Sequence, residues 1–371
     1  MRVLIAMDSF KGSISSLKAG NAVKEGVLAV HPDAAVTVCP IADGGEGTVE
    51  ALGTAGEICT VTVTGPLGTP VEAKYCILPE TGTAVMEMAA AAGLTLVPPE
   101  KRDPMVTTTY GVGEMLADAL KKGCRKFIIG IGGSATNDGG TGMLSALGFR
   151  FLDEKGREIL QGAAGLEKLT SVDTSGKLPE LESAQFSIAC DVKNPLCGPN
   201  GCSAVFAPQK GARALDIPQM DKWLLHYAEL MGGDPNAPGA GAAGGLGFAF
   251  GGCLGGQLAS GIDLILHETG MEEKIKKADI VVTGEGRLDG QSLMGKTPVG
   301  VAQLAKKYGK RTLAFAGSLG PGAERCNDWG IDACFSVTPG PMTLEEAMEP
   351  ETAYENLKNT VRQVFRLLEE S

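Results

Sequence analysis

Apolar and polar positions along this chain follow two periods. Five runs are nearly continuous in hydrophobicity: Val3-Leu4-Ile5-Ala6-Met7, Val36-Thr37-Val38-Cys39-Pro40-Ile41, Phe127-Ile128-Ile129-Gly130-Ile131, Phe186-Ser187-Ile188-Ala189-Cys190 and Ile280-Val281-Val282-Thr283. Such runs read as parallel strands buried on both faces. Each stops at a cluster of glycine, acidic and small hydroxyl residues. Helical spacing lies between the runs. Ser15-Ser16 opens a helix to about Val30, stopped by Pro32, and a short helix is expected near 46–54. Val112, Met115, Leu116 and Leu120 form one stripe, and further helices are expected at about 140–147, 214–232 and 263–277. Thr297-Pro298 starts a helix to Tyr308, and the last helix, about 352–369, carries Tyr354, Leu357, Val361, Val364, Phe365 and Leu368 on one face.

Residues 57–90 show a third pattern. Alternating runs around Val61 and Tyr75 are joined by Gly65-Pro66-Leu67-Gly68, a hairpin signal, and residues 83–88 read as a third strand. A second hairpin is expected at 149–157, and the β-α rhythm resumes from about 263 with strands at 279–283, 312–316 and 333–337. The pattern predicts an α/β protein: an open parallel-sheet domain interrupted by a second α/β domain, with the active site in the interdomain cleft. The expected boundaries are 1–62 with about 100–140 and about 265–371 for the first domain, and about 63–99 with 141–264 for the inserted one.

With 371 residues, about two domains is the prior. Net charge is −11 and no Lys/Arg-rich block occurs, which argues against a nucleic-acid partner. Residues 235–262 carry no charge, but nine of the eighteen residues from Gly239 to Gly256 are glycine and no second apolar span exists, so a membrane role is not expected. The start shows no secretory pattern. Ten cysteines occur without any C-x-x-C pair, several within apolar runs, which fits reduced thiols in the cytoplasm. His31, His226 and His267 all lie outside the glycine loops, which disfavours a Ser-His-Asp hydrolase or a His-ligated zinc site.

The loops after the apolar runs carry the chemistry. Open α/β sheets bind ligands outside the carboxyl ends of their strands. Glycine lets backbone N–H groups approach an anion, and carboxylates suit Mg²⁺ or a general base. Asp8 and Lys11 share the first loop, and Asp43-Gly44-Gly45-Glu46-Gly47 forms the second. Gly132-Gly133-Ser134-Ala135-Thr136-Asn137-Asp138-Gly139-Gly140 follows the third run. Asp191-Val192-Lys193-Asn194 ends the fourth, and Gly284-Glu285-Gly286-Arg287-Leu288-Asp289 the fifth. Gly290 to Thr297 also matches G-x-x-x-x-G-K-T, but the strand reading stops it well short of Gly290 and Pro298 follows at once. A phosphate site of different build, using Lys296 and the following helix N-terminus, is the preferred reading there.

These five loops, in this order, resemble the bacterial type I glycerate kinases, and the likeness runs from Met1 to the last helix. The resemblance implies a flavodoxin-like domain interrupted by a second α/β domain, no P-loop, and ATP-dependent phosphorylation of D-glycerate, usually giving 2-phosphoglycerate. The roles are then inferred from residue chemistry. Asp191 is expected as the base, with Lys193 on the substrate carboxylate and Asp8 and Lys11 completing the catalytic set. Gly44, Gly45, Gly132, Gly133, Ser134, Asn137, Gly284, Arg287 and Lys296 are expected to bind ATP, and Asp43 and Glu285 to bind Mg²⁺. The partner is a small-molecule substrate, with neither nucleic acid nor membrane, and a homo-oligomer is allowed. Two alternatives stay open: a nicotinamide-nucleotide-dependent dehydrogenase on a Rossmann-like sheet, and a non-catalytic nucleotide- or carboxylate-binding protein.

Overall fold

The computed structural model describes the chain except for residues 43, 44, 46, 54, 55, 291, 293–295 and 369–371. Among the described residues the strands, in chain order, are β1 (Arg2–Met7), β2 (Ala35–Val38), β3 (Glu57–Thr64), β4 (Pro70–Leu78), β5 (Thr83–Glu87), β6 (Lys126–Gly130), β7 (Arg150–Leu152), β8 (Ser171–Asp173), β9 (Gln185–Ala189), β10 (Gln257–Ala259), β11 (Ile280–Leu288), β12 (Arg311–Leu319) and β13 (Ala333–Ser336). Two compact units result. Unit 1 comprises Met1–Asp43, Glu50–Thr54 and Ile262–Ser371, and unit 2 comprises Gly44–Val49 and Ala55–Gly261.

Unit 1 is built on a five-stranded sheet in the order β13-β12-β11-β1-β2, parallel throughout. This is the 2-1-3-4-5 order of doubly wound, flavodoxin-like sheets, whose switch point falls between the first and third strands. Here that point is the β1/β11 pair, in register from Val3 opposite Ile280 to Met7 opposite Gly284. Val3, Ile5 and Met7 face one side and pack on helices Ser16–Leu28 and Pro350–Arg366. The last helix buries Leu357, Val361, Val364 and Phe365, most of the stripe expected from its spacing, and starts at Pro350 behind a Glu349 cap. The opposite face carries Ala314 and Ala316 against Val299 and Ala302 of helix Thr297–Lys307.

Unit 2 has a six-stranded sheet in the order β10-β9-β6-β5-β4-β3. β5, β6, β9 and β10 run parallel, and β3-β4-β5 form the expected antiparallel meander through the 65–68 turn. The uncharged 235–262 stretch is neither a long helix nor a membrane span. Among the described residues no helix is long and apolar enough to cross a membrane. The stretch instead breaks into short helical turns that lie backbone-to-backbone on the loop after β6. Gly244 shows why glycine is required there. Its φ is +69°, its carbonyl accepts the Gly139 N–H at 2.9 Å, and a Cβ would stand 2.0 Å from the Thr136 carbonyl oxygen.

Several sequence expectations need correction. The 100–140 segment, expected in the first domain, belongs to unit 2: helix Tyr110–Lys121 packs in the core under β6, and β6 pairs with β5 and β9. An apolar strand followed by a glycine loop has the same signature in either sheet, so the pattern alone could not choose. The strand expected at 279–283 continues to Leu288, because Glu285, Arg287 and Leu288 pair with β12 as well. The chain does turn back on itself at 149–157, where Asp153 N–H donates to the Arg157 carbonyl at 2.8 Å and Leu152 bridges Glu158, but the strand partner of β7 is β8. The 263–277 helix is broken into Gly261–Glu268 and Met271–Lys277 at Gly270, whose φ is +58°.

Gly244→Ala should therefore lower the unfolding free energy by about 2–4 kcal/mol, combining left-handed strain with overpacking. Gly82→Ala, also at positive φ but with open space around the new methyl, should lose only about 1–2 kcal/mol. Chemical denaturation of the two variants checks this; equal losses would contradict it.

Candidate active site

In unit 1 the residues of interest gather at the carboxyl end of β1 and along the second half of β11 beside it. Chain reversal after β1 buries Asp8, which is only 5% exposed, and its N–H donates to the Gly284 carbonyl at 2.8 Å. One Asp8 carboxylate oxygen accepts the Ser9 N–H at 2.7 Å, and the other accepts the Thr297 hydroxyl at 2.8 Å. That second bond ties the loop after β1 to the first residue of helix Thr297–Lys307. Lys296 is the helix N-cap residue, so its ammonium-bearing side chain sits at the positive end of the helix dipole.

Glu285 lies beside Asp8 in the sheet, buried at 8% exposure. The Ser292 hydroxyl donates to its carboxylate, but Oε1 has no hydrogen-bond partner among the described residues. Burial pushes the carboxyl up to about 7, opposed by Ser292 and Lys296 and reinforced by the Asp8 and Asp289 charges. A buried carboxylate oxygen with no donor has lost its hydration without replacement. A hard divalent cation would satisfy it, and oxygen ligands of this kind are what Mg²⁺ takes. Among the described residues no cluster of three or more ligating side chains exists, so protein ligands would be few.

The other predicted residues of unit 1 divide. Lys11 is exposed, and its backbone N–H lies near Gly286. Arg287 is exposed and already paired, with Nε 3.1 Å from Asp289 Oδ2. Gly284 does not belong with the anion donors: it is a buried strand residue, and a Cβ there would meet the Phe315 carbonyl oxygen at 1.9 Å. Its glycine serves sheet packing. Asp43 and Gly44 lie outside the described residues. So does most of the interior of Gly290–Thr297, although the longer β11 brings a strand end within two residues of Gly290.

In unit 2 the loops after β6 and β9 stand at adjacent strand ends. Gly132 and Gly133 are exposed and Ser134 is 7% exposed. The loop backbone is pinned by Leu94 N–H to the Gly133 carbonyl at 2.8 Å and Ala135 N–H to the Ala92 carbonyl at 2.9 Å. Asn137 is fully buried and its amide donates to Ser203 Oγ at 2.9 Å, so its side chain supports the loop from beneath. Asp138 is equally buried and accepts from Thr109 N–H and hydroxyl, both at 2.8 Å, and from Gly140 N–H at 3.0 Å. Burial pushes its carboxyl up, against those donors. Asp191 and Lys193 are exposed after β9, with the Gly261 N–H donating to Asp191 Oδ1 at 3.3 Å. Gly45 begins a turn in which Thr48 Oγ1 donates to its carbonyl at 2.7 Å.

Two functional candidates escaped the sequence reading. Glu87 ends β5 and accepts the Val49 N–H at 2.9 Å. Lys210 is 2% exposed and donates to Ser134 Oγ and the Thr136 carbonyl, each at 2.6 Å. Neither sits in a glycine loop, and nothing in the local pattern separates Lys210 from a surface lysine.

A model of the glycerate kinase family matches residues 3–369. A glycerate kinase from Bacillus subtilis is 46% identical, covering 98% of this chain and 97% of its own. A glycerate 2-kinase from Escherichia coli is 47% identical over 99% and 98%. A crystal structure from Salmonella typhimurium LT2, described as glycerate kinase 2, superposes with a TM-score of 0.91 at 45% identity, covering 100% of this chain and 98% of the other. The chain belongs to the glycerate kinase family.

The Glu285 environment makes a pH prediction. The folded carboxyl titrates near 7 and the unfolded one near its ordinary 4.5, so stability falls as pH rises from 4.5 through 7. Glu285→Gln should then raise thermal stability at pH 8 in the absence of divalent cations, by about 1–3 kcal/mol, and change it little at pH 4.5. Melting curves at the two pH values check this; an equal shift at both would contradict it.

Proposed function

We infer that this member of the glycerate kinase family transfers the γ-phosphoryl group of ATP to the carbon-2 hydroxyl of D-glycerate, releasing ADP. The observation that carries the reading is the end-to-end family match; the geometry of the loops supplies the division of roles. Phosphoryl transfer proceeds through a loose transition state, and the protein's work is positioning and charge compensation.

In unit 1 we assign the phosphates to the N-terminus of helix Thr297–Lys307, where first-turn N–H groups face an anion and Lys296 and Lys11 add positive charge. Asp8 holds Thr297 and thereby the start of that helix. Arg287 is a further phosphate contact once released from Asp289. Glu285, with Asp43 as second ligand, would hold Mg²⁺, which supplies charge neutralisation on the phosphate oxygens. The unpartnered Oε1 of Glu285 supports that fit.

In unit 2 we assign Asp191 as the base that accepts the proton of the attacking hydroxyl, with Lys193 on the substrate carboxylate. Gly45, Gly132, Gly133 and Ser134 are the proposed anion donors. The need for ATP and ten free thiols support a cytoplasmic setting. The dehydrogenase alternative finds no support in the relatives, nor does a non-catalytic binding role.

Coupled ADP release with D-glycerate and Mg²⁺ tests the activity, and ³¹P–¹H correlation of the product tests the position. The account expects 2-phosphoglycerate. Asp191→Asn should lower kcat by roughly 10²-fold or more with little change in melting temperature. Near-normal turnover would remove Asp191 from the role of base, and 3-phosphoglycerate as product would overturn the position.

A further inference from the structure

Lys210 is a buried cation that the proposed chemistry does not use. It ends the short turn Pro208–Lys210, with Gly211 at φ +95° behind it, and it is 2% exposed. No carboxylate forms an ion pair with it among the described residues. A desolvated ammonium without a counter-ion is costly and calls for a reason. Its two hydrogen bonds, both 2.6 Å, go to one short stretch of the glycine loop: the Ser134 hydroxyl oxygen and the Thr136 carbonyl.

The polarity of the first bond matters. An ammonium can only donate, so Ser134 Oγ must accept. The Ser134 proton is then left for another acceptor, and none lies within reach among the described residues. Ser134 sits next to exposed Gly132 and Gly133, at the end of the loop that meets solvent. The same stretch holds two buried polar atoms without partners among the described residues, Thr136 Oγ1 and Asn137 Oδ1. In a well-formed interior such a concentration marks a place completed by a ligand or by water.

We propose that Lys210 is a positioning residue that fixes the Ser134 hydroxyl as a donor toward an anionic oxygen, phosphate or carboxylate, of a bound substrate. The proposal rests on the kinase reading for the identity of the anion, ATP or D-glycerate. Leu94 and Ala92 hold the loop backbone at Gly133 and Ala135, and Lys210 itself holds only the Thr136 carbonyl. What the lysine adds is direction to one hydroxyl and a positive field behind it, as anion sites use.

A consequence separates this role from a purely structural one. Burial lowers the Lys210 ammonium to about 8, with Cys202 and Asp138 opposing that shift. The other titratable groups facing it change little there: burial pushes the Cys202 thiol up to about 11, and Asp138 is held by Thr109 and Gly140. Below pH 8 the lysine is charged and Ser134 must donate outward. Above pH 8 the neutral amine nitrogen can accept a hydrogen bond from the Ser134 hydroxyl, which keeps its proton, and the donor to the substrate is lost.

The test is calorimetric titration of the full chain with ATP and, separately, with D-glycerate, for wild type, Ser134→Ala and Lys210→Met at pH 7 and pH 9.5. Ser134→Ala should weaken one of the two ligands roughly 10- to 100-fold at pH 7. The ligand affected identifies the anion. Wild type should weaken toward pH 9.5 for that ligand, and Ser134→Ala should show no such loss. Lys210→Met, if it folds, should match Ser134→Ala; the serine variant alone decides the matter if it does not. Equal affinity of wild type and Ser134→Ala for both ligands, or the same pH response in both proteins, overturns the proposal. Turnover is read separately, so a chain that shows this loss without releasing ADP would fail the kinase reading and keep this one.

Discussion

The parallel pairing of β1 with β11 is the constraint on which unit 1, and the phosphate site proposed there, depends. Five consecutive residue pairs bring Met7 opposite Gly284, and the next residue of each strand is a carboxylate, Asp8 and Glu285. The pairing joins parts of the chain that lie on opposite sides of unit 2 in sequence. It succeeds because Val3, Ile5, Val281 and Val282 are almost wholly buried and because Gly284 has no side chain to collide with β12. Hydrophobic burial fixes the register, and the register in turn forces two acids together at the switch point. Two like charges in a desolvated place are unfavourable on their own. That arrangement is retained where a cationic ligand or an anion-plus-metal complex relieves it, which is the logic of a phosphoryl-transfer site.

Unit 2 solves a related problem by different means. Its glycine loop after β6 is not free-standing. It rests on a buried polar floor made by Thr109, Asn137, Asp138, Ser203 and Lys210, and on the glycine-rich turns around Gly244. Buried hydrogen bonds such as these rigidify a loop, although Asn137 Oδ1 finds no partner among the described residues. In the proposed role as an anion donor the loop benefits from such support, since ordering it at the moment of binding would cost affinity.

Much of this was legible in the sequence. Continuous apolar runs located β1, β6, β9 and β11, and the glycine and acid clusters after β1, β6 and β9 fell at carboxyl strand ends as expected, whereas the one after Thr283 lies largely inside β11. The Gly65–Gly68 turn was read from turn chemistry, which is local; the helix start at Thr297-Pro298 was placed within one residue, but Thr297 is not the N-cap expected from its type, since Lys296 holds that position and the Thr297 hydroxyl goes to Asp8. What was not legible depended on partners distant in sequence. The sheet to which β6 belongs is decided by the edges of β5 and β9, not by its own residues. The extension of β11 through Gly284-Glu285-Gly286-Arg287-Leu288 required β12 as a template, because glycine and charge in a short run argue against a strand when taken alone. Lys210 and Glu87 gained their meaning only from burial and from the groups folded against them.

The central claim is that the loop after β1 and the first turn of helix Thr297–Lys307 together hold the phosphates. Hydrogen–deuterium exchange with and without a non-hydrolysable ATP analogue and Mg²⁺ tests this most directly. The account predicts added protection in residues 8–13 and in 296–300. Protection that leaves both segments unchanged while the analogue is bound would contradict it.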